Sequence, residues 1–229
     1  MEHVKTTIYE TPKEGISGVA NHIADVIRQH DANGRNTVLS LASGRSMRDL
    51  FAELVRLHKE EGLSFKNVIV FGSYEFYPLS DASLGSMAQI QSQLLDHVDI
   101  QAENVYTFPL DLPRETVFSF CEEYEKTIAQ VGGIDIQVLG IGQCGNIAMN
   151  EPGTQSNSYT RLVIMDNNSR MDVKSLFGNA EQVPNCAITL GINTILQAKE
   201  VILMAFGQHK ASIVKQAIEE VVSATCPAS

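Results

Sequence analysis

Three short stretches hold side chains suited to chemistry on an anion or a carbonyl: "LASGRSMRDL", "GIGQCGNIAMNEPG" and "MAFGQHKA". In the first, Ser43, Gly44 and Ser46 stand where an apolar run gives way to a helical pattern. Hydroxyls and free backbone N–H groups there can meet an anion at a helix N-terminus. Ordinary capping by Ser46 explains the same residues. In the third stretch Lys210 follows another apolar run at the same kind of junction, where a lone lysine is commonly just solvated. His209 beside it reads as a solvated or capping residue. In the second stretch Gly140, Gly142 and Gly145 permit a tight backbone path, Cys144 offers a thiol and Glu151 a carboxylate. A thiol becomes a nucleophile when a base or a helix terminus lowers its pKa. No histidine lies near Cys144 in sequence and Asn146 cannot act as a base, so Cys144 reads as an ordinary side chain.

The elements that would position these loops follow from hydrophobic period. Short apolar runs, "TVLSLA", "NVIVF", "IDIQVLGIG", "TRLVIM", "NCAITLG" and "EVILMAF", read as mostly buried strands. Helical spacing of apolar residues fills "GISGVANHIADVIRQH", "SMRDLFAELVRLHKEEG" and "HKASIVKQAIEEVV". Strand and helix alternate, which predicts βαβ units around a parallel sheet. The longest irregular stretches are expected after Phe71 and after Gly140. In an open α/β sheet, ligands sit at the carboxyl ends of the strands, where both stretches begin. No repeat or linker marks a domain boundary, so one domain over residues 1–229 is expected.

Composition bounds the partners. The 229 residues are 44% hydrophobic and 19% charged, which suits a globular chain with a sizeable core. A net charge of -10 opposes both nucleic-acid binding and adsorption to an anionic membrane. Small molecules or proteins are the expected partners. Cys121, Cys144, Cys186 and Cys226 are far apart, with no Cys-x-x-Cys pair and no signal peptide ahead of them. Disulfides and a metal site are therefore not expected, no cofactor is implied, and a reducing cytoplasm fits. No apolar stretch approaches the length of a membrane span.

Order and local wording together resemble the glucosamine-6-phosphate deaminase (isomerase) family. The matching runs are "LVRLHKEEGLSFKNVIVF", "DHVDIQAENVY", "YEKTIAQVGGIDIQVLGIG", "NEPG", "QVPNCAITLGINTIL" and "GQHKA", from Leu54 to Ala211, within a resemblance that covers residues about 38 to 222. "NEPG" after the glycine loop is similar to the deaminases and unlike their 6-phosphogluconolactonase relatives. The resemblance implies a three-layer α/β sandwich with a mostly parallel sheet, related to ribose-5-phosphate isomerase and CoA transferases. It also implies a phosphosugar ligand, with Ser43, Gly44 and Ser46 in the phosphate loop, Lys210 as the phosphate lysine and Lys174 as a second basic residue. Arg45 stands where Gly or Ser is usual, and Met47 where a helix-opening Pro is usual. Arg45 either adds a phosphate contact or fills the sugar pocket. Hexameric members bind an allosteric ligand near the stretch after "NEPG"; Arg161 is present there, while Val163 replaces a Lys. The family pattern runs on through a further strand beyond "SATCPAS", so a C-terminal truncation is expected. A homo-oligomer is possible, and the sequence does not fix its order.

The family's catalytic pattern is where the chain departs. Deaminases typically read Asp-Glu-Tyr after the second strand, the Asp moving a proton between C1 and C2. Here Tyr74 takes the Asp place and Glu75 remains. The family then reads Asp-Gly-His in the glycine loop, followed by the Glu of Asn-Glu-Pro, and opens the sugar ring with them. Here Cys144, Gly145 and Asn146 stand in those places, and Glu151 alone survives. A phenol of pKa about 10 is a poor base near neutrality, and an amide carries no titratable proton. The expected function is phosphosugar binding with absent or very weak catalysis. Two alternatives are an isomerase or deaminase acting on a related phosphosugar through Glu75 and Glu151, and a non-catalytic assembly or regulatory partner.

Overall fold

The computed structural model describes residues 4–179 and 181–229. The first helix, α1 (Pro12–Ala32), opens on a capping box. Thr11 Oγ accepts from Glu14 N, Glu14 accepts from Thr11 N, and Pro12 supplies the first helical φ. β1 (Thr37–Leu41) then leads through Ala42, Ser43 and Gly44 into α2 (Arg45–Glu61). Gly44 adopts φ 132°, a conformation open to glycine and strained for other residues, so the turn from strand to helix depends on it. β2 (Val68–Gly72), β4 (Val105–Tyr106), β5 (Ile136–Gly140) and β8 (Glu200–Met204) join β1 in a five-stranded parallel sheet of order β4-β2-β1-β5-β8.

Both faces of that sheet are covered, as a parallel sheet requires. Leu39, Leu41, Val68, Val70, Ile136 and Val138 pack against α1, α2 and α3 (Ser86–Gln93). On the other face Val38, Ile69, Phe71 and Leu139 meet Val117, Cys121, Tyr124 and Ile128 of α4 (Val117–Gln130). The expected layered α/β architecture is present.

The strand assignment differs in one respect. "TRLVIM" and "NCAITLG" do form strands, β6 (Arg161–Ile164) and β7 (Cys186–Thr189), but outside the parallel sheet. They pair antiparallel with each other and with β3 (Tyr74–Tyr77), in the order β3-β7-β6. The segment after Phe71, read as irregular, is therefore partly a strand. Only Ser73 separates β2 from β3, too short a link for the crossover that a parallel neighbour needs. The small sheet builds its own core from Phe76 and Ala187 against Met149, Met165 and Phe177 of α5 (Asn167–Phe177). α6 (Ile192–Leu196) and α7 (Ala211–Glu219) complete the helices.

Candidate functional site

The chain runs outward from β1 to β2 and β4, then returns to place β5 on the other side of β1. The switch point of the sheet thus lies between β1 and β5, where the Ser43–Ser46 turn and the Gly140–Asn146 loop emerge side by side. Beneath them a buried polar knot fixes the strand ends. Ser40 and Ser73 hydroxyls lie 3.1 Å apart, and Gln137 Nε2 donates to Ser73 Oγ at 2.9 Å.

Ser43 is half-buried, Gly44 and Arg45 are exposed, and Ser46 is half-buried. No side chain caps the start of α2, which leaves its first N–H groups free. Among the described residues no carboxylate pairs with Arg45. Lys210 arrives from beyond β8 and its Nζ donates to the Ile141 carbonyl at 2.8 Å, tethered across the end of β5 toward β1. Burial lowers the Lys210 pKa; the charge of Asp172 opposes that and the charge of Arg45 adds to it. Two cations therefore flank the switch point beside an uncapped helix N-terminus.

Tyr74 begins β3 at the same rim. Its ring is buried edge-on against Phe76, and its hydroxyl lies 2.8 Å from Ser43 Oγ. Burial pushes the phenol above its usual pKa, so it stays protonated. In the glycine loop the Gly142 N–H donates to the Asn146 carbonyl, and the Asn146 side chain folds over the Gly142 Cα. A Cβ on Gly142 would stand 1.8 Å from Asn146 Oδ1, so a side chain there would displace the Asn146 amide from this position. Gly145 adopts φ 78° against Cys226 Sγ. Cys144 is half-buried, with the Asn168 amide 3.8 Å from its sulfur, and all four cysteines are free.

The two carboxylates are committed elsewhere. Glu75 is buried and accepts from the backbone N–H groups of Phe76, Ser86 and Met87 at 2.9, 2.7 and 2.9 Å, so it anchors the start of α3. Burial raises its pKa despite those bonds. Glu151 accepts from the Asp166 N–H with both oxygens, at 3.0 and 2.9 Å. Asp166 is itself the cap of α5, accepting from Ser169 N. Burial again leads the rise in the Glu151 pKa.

Lys174 does not join the others. α5 turns Asn168 toward Cys144 and Asp172 toward Gln143, while Lys174, two residues beyond Asp172 and about 200° around the helix, is exposed on another face. The α5 residues that do reach the loop, Asn168 and Asp172, were missed from sequence; their i, i+4 spacing was the available signal. His209 is exposed, as expected. Arg161 donates to Asn150 Oδ1 at 2.9 Å and approaches Thr154 Oγ1 at 3.4 Å, in an open groove of about 590 Å³ that Val163 also lines. Among the described residues no group of three or more acidic, histidine or cysteine side chains is placed to hold a metal ion, and no helix is long and apolar enough to cross a membrane.

The family model of glucosamine-6-phosphate isomerases/6-phosphogluconolactonase matches residues 10–229. The chain belongs to this family. It is 47% identical over its whole length to a glucosamine-6-phosphate deaminase-like protein of Bacteroides thetaiotaomicron, of which it spans 35%. It is 35% identical over 92% of its length to the glucosamine-6-phosphate deaminase of Pseudoalteromonas translucida, covering 79% of that enzyme. A solved monomeric glucosamine-6-phosphate deaminase superposes with a TM-score of 0.92 at 30% identity, over 98% of this chain and 91% of that one. The 6-phosphogluconolactonase of Trypanosoma brucei shares the fold, with a TM-score of 0.74 at 17% identity over 97% of this chain and 91% of that one.

Proposed function

We propose that this family member binds a phosphosugar of amino-sugar metabolism at the β1–β5 switch point and turns it over very weakly or not at all. One observation carries the reading: the place of the family's base holds a buried, protonated phenol bonded to Ser43, while the cationic rim beside it is intact. An aldose-to-ketose shift needs a group that accepts a carbon-bound proton, and Tyr74 cannot. Cys144 and Asn146, in the places of the ring-opening acid and histidine, supply no replacement shuttle. Glu75 and Glu151 are spent on holding α3 and α5, which weighs against the reading in which they carry catalysis. Ser43, Ser46, the free N–H groups of α2, Arg45 and Lys210 address the phosphate.

The test pairs a thermal scan against phosphosugars with a sensitive ammonia assay on glucosamine 6-phosphate. Stabilisation by phosphosugars and not by their unphosphorylated parents is expected, with no ammonia above background. Turnover within tenfold of an ordinary rate of about 10 per second would refute the loss of catalysis. Absence of any phosphosugar-dependent stabilisation would leave an assembly role as the better account.

A further inference from the structure

We propose that Tyr74 is a positioning residue, which turns Ser43 into a fixed hydrogen-bond donor for a phosphomonoester dianion. The inference rests on the phosphosugar reading and adds to it a positive role for the side chain in the place of the lost base.

The phenol is buried, with Ser43 Oγ at 2.8 Å and the Ser43 carbonyl at 3.5 Å, and the buried hydroxyl of Ser86, which has no other partner among the described residues, also faces it. The geometry of the shorter contact allows either hydroxyl to donate, and in the proposed relay the phenol, the more acidic of the two, is the donor. A serine hydroxyl has one proton to give and two lone pairs. With a lone pair of Ser43 Oγ engaged by Tyr74, its proton is free to point away from β3, toward the rim where Lys210 and the start of α2 converge. A bound phosphoryl oxygen would complete a relay in one direction, from phenol to serine to anion, in which each bond polarises the next. An ionised carboxylate in the place of Tyr74 can only accept, and would draw the Ser43 proton inward.

The phenol is held for this task from every side. Tyr74 pairs with Thr189 in the register of β3 and β7. Its ring meets Phe76 at a centroid distance of 5.8 Å, and Phe76 in turn meets Phe177 of α5 at 5.1 Å. Ser73, just before it, donates its N–H to the Leu41 carbonyl and accepts from the Leu190 N–H. The hydroxyl therefore has little freedom to leave Ser43.

The experiment is a double-mutant cycle read by calorimetry with two probes, inorganic phosphate and glucosamine 6-phosphate. Tyr74→Phe keeps the ring and removes only the donor; it should weaken both probes by about 5- to 10-fold. Ser43→Ala should weaken them at least as much. The double variant should bind no worse than Ser43→Ala, because Tyr74 acts only through Ser43. Ser43→Thr, which keeps the hydroxyl, should stay within about threefold of the unsubstituted chain. A phenol that merely supported the fold would change affinity independently of Ser43, so multiplicative losses in the double variant overturn the proposal. So does an unchanged affinity in Tyr74→Phe. Should Tyr74→Phe fail to fold, the serine variants decide: full affinity in Ser43→Ala overturns the proposal by itself. If the unsubstituted chain binds neither probe, the phosphosugar reading falls and this inference with it; if it binds both and only the cycle fails, the reading stands alone.

Discussion

At the scale of single residues, the proposed reading separates groups that would hold an anion from places where a proton carrier would be needed, and the separation can be tested from both sides. Lys210→Ala should weaken phosphosugar binding by about 1 to 3 kcal/mol, the scale of a lost charge-assisted hydrogen bond. Because burial places the Lys210 pKa below its usual 10.5, affinity in the unsubstituted chain should fall as the pH rises toward that value, and the alkaline limb should vanish in Lys210→Ala. Titration calorimetry between neutral and alkaline pH measures both. In the opposite direction, the triple change Tyr74→Asp, Cys144→Asp and Asn146→His should restore detectable ammonia release, with little from any single change. Proton abstraction and ring opening are successive requirements, so repairing one leaves the other barrier standing. Adding Arg45→Gly shows whether the guanidinium obstructs the sugar. Residue types in the three loops drew attention to Ser43, Ser46 and Lys210, whereas the altered places at Tyr74, Cys144 and Asn146 followed only from the family resemblance. Neither could show the Tyr74–Ser43 bond, which joins residues 31 apart through the meeting of two sheets.

At the scale of elements, β1, β2, β5, β8 and the helices α1, α2 and α7 were legible because burial on both faces writes continuous apolar runs and helices write a 3.6 period. The membership of β6 and β7 was not legible, since a short buried strand reads alike in a parallel and an antiparallel sheet. α4, α5 and α6 were missed as well, and so was α3. Eight residues long and without an acidic first turn, it depends on a carboxylate eleven positions upstream for its N-terminal bonds. Glu75→Ala should therefore leave two N–H groups of α3 unsatisfied and cost about 1 to 3 kcal/mol, visible as a lowered urea midpoint at unchanged slope.

At the scale of the whole molecule, the end of the sheet away from the site carries its own charge centre. Asp135, 4% exposed, accepts from Lys199 Nζ at 2.7 Å, Arg35 at 3.0 Å and Val38 N at 2.8 Å. Burial alone would raise its pKa, but these donors and charges together hold it below 3.8. A depressed carboxylate pKa gives stability that is present above 3.8 and lost as the pH falls through the folded-state value. Lys199 and Arg35 are about half exposed, so solvent screens the pair, and Asp135→Asn should cost only about 1 to 2 kcal/mol. Urea melts at neutral pH should show that loss, and the gap should close in strong acid. The commitment of Glu75 and Glu151 to the starts of α3 and α5 reaches further than stability. A lineage that gave up the reaction would still be obliged by folding to keep both acids, while Asp and His side chains with no partner to hold would be free to drift. Acids kept in such a protein would be fossils of its architecture as much as of its chemistry, and a "NEPG" signature would not by itself report activity.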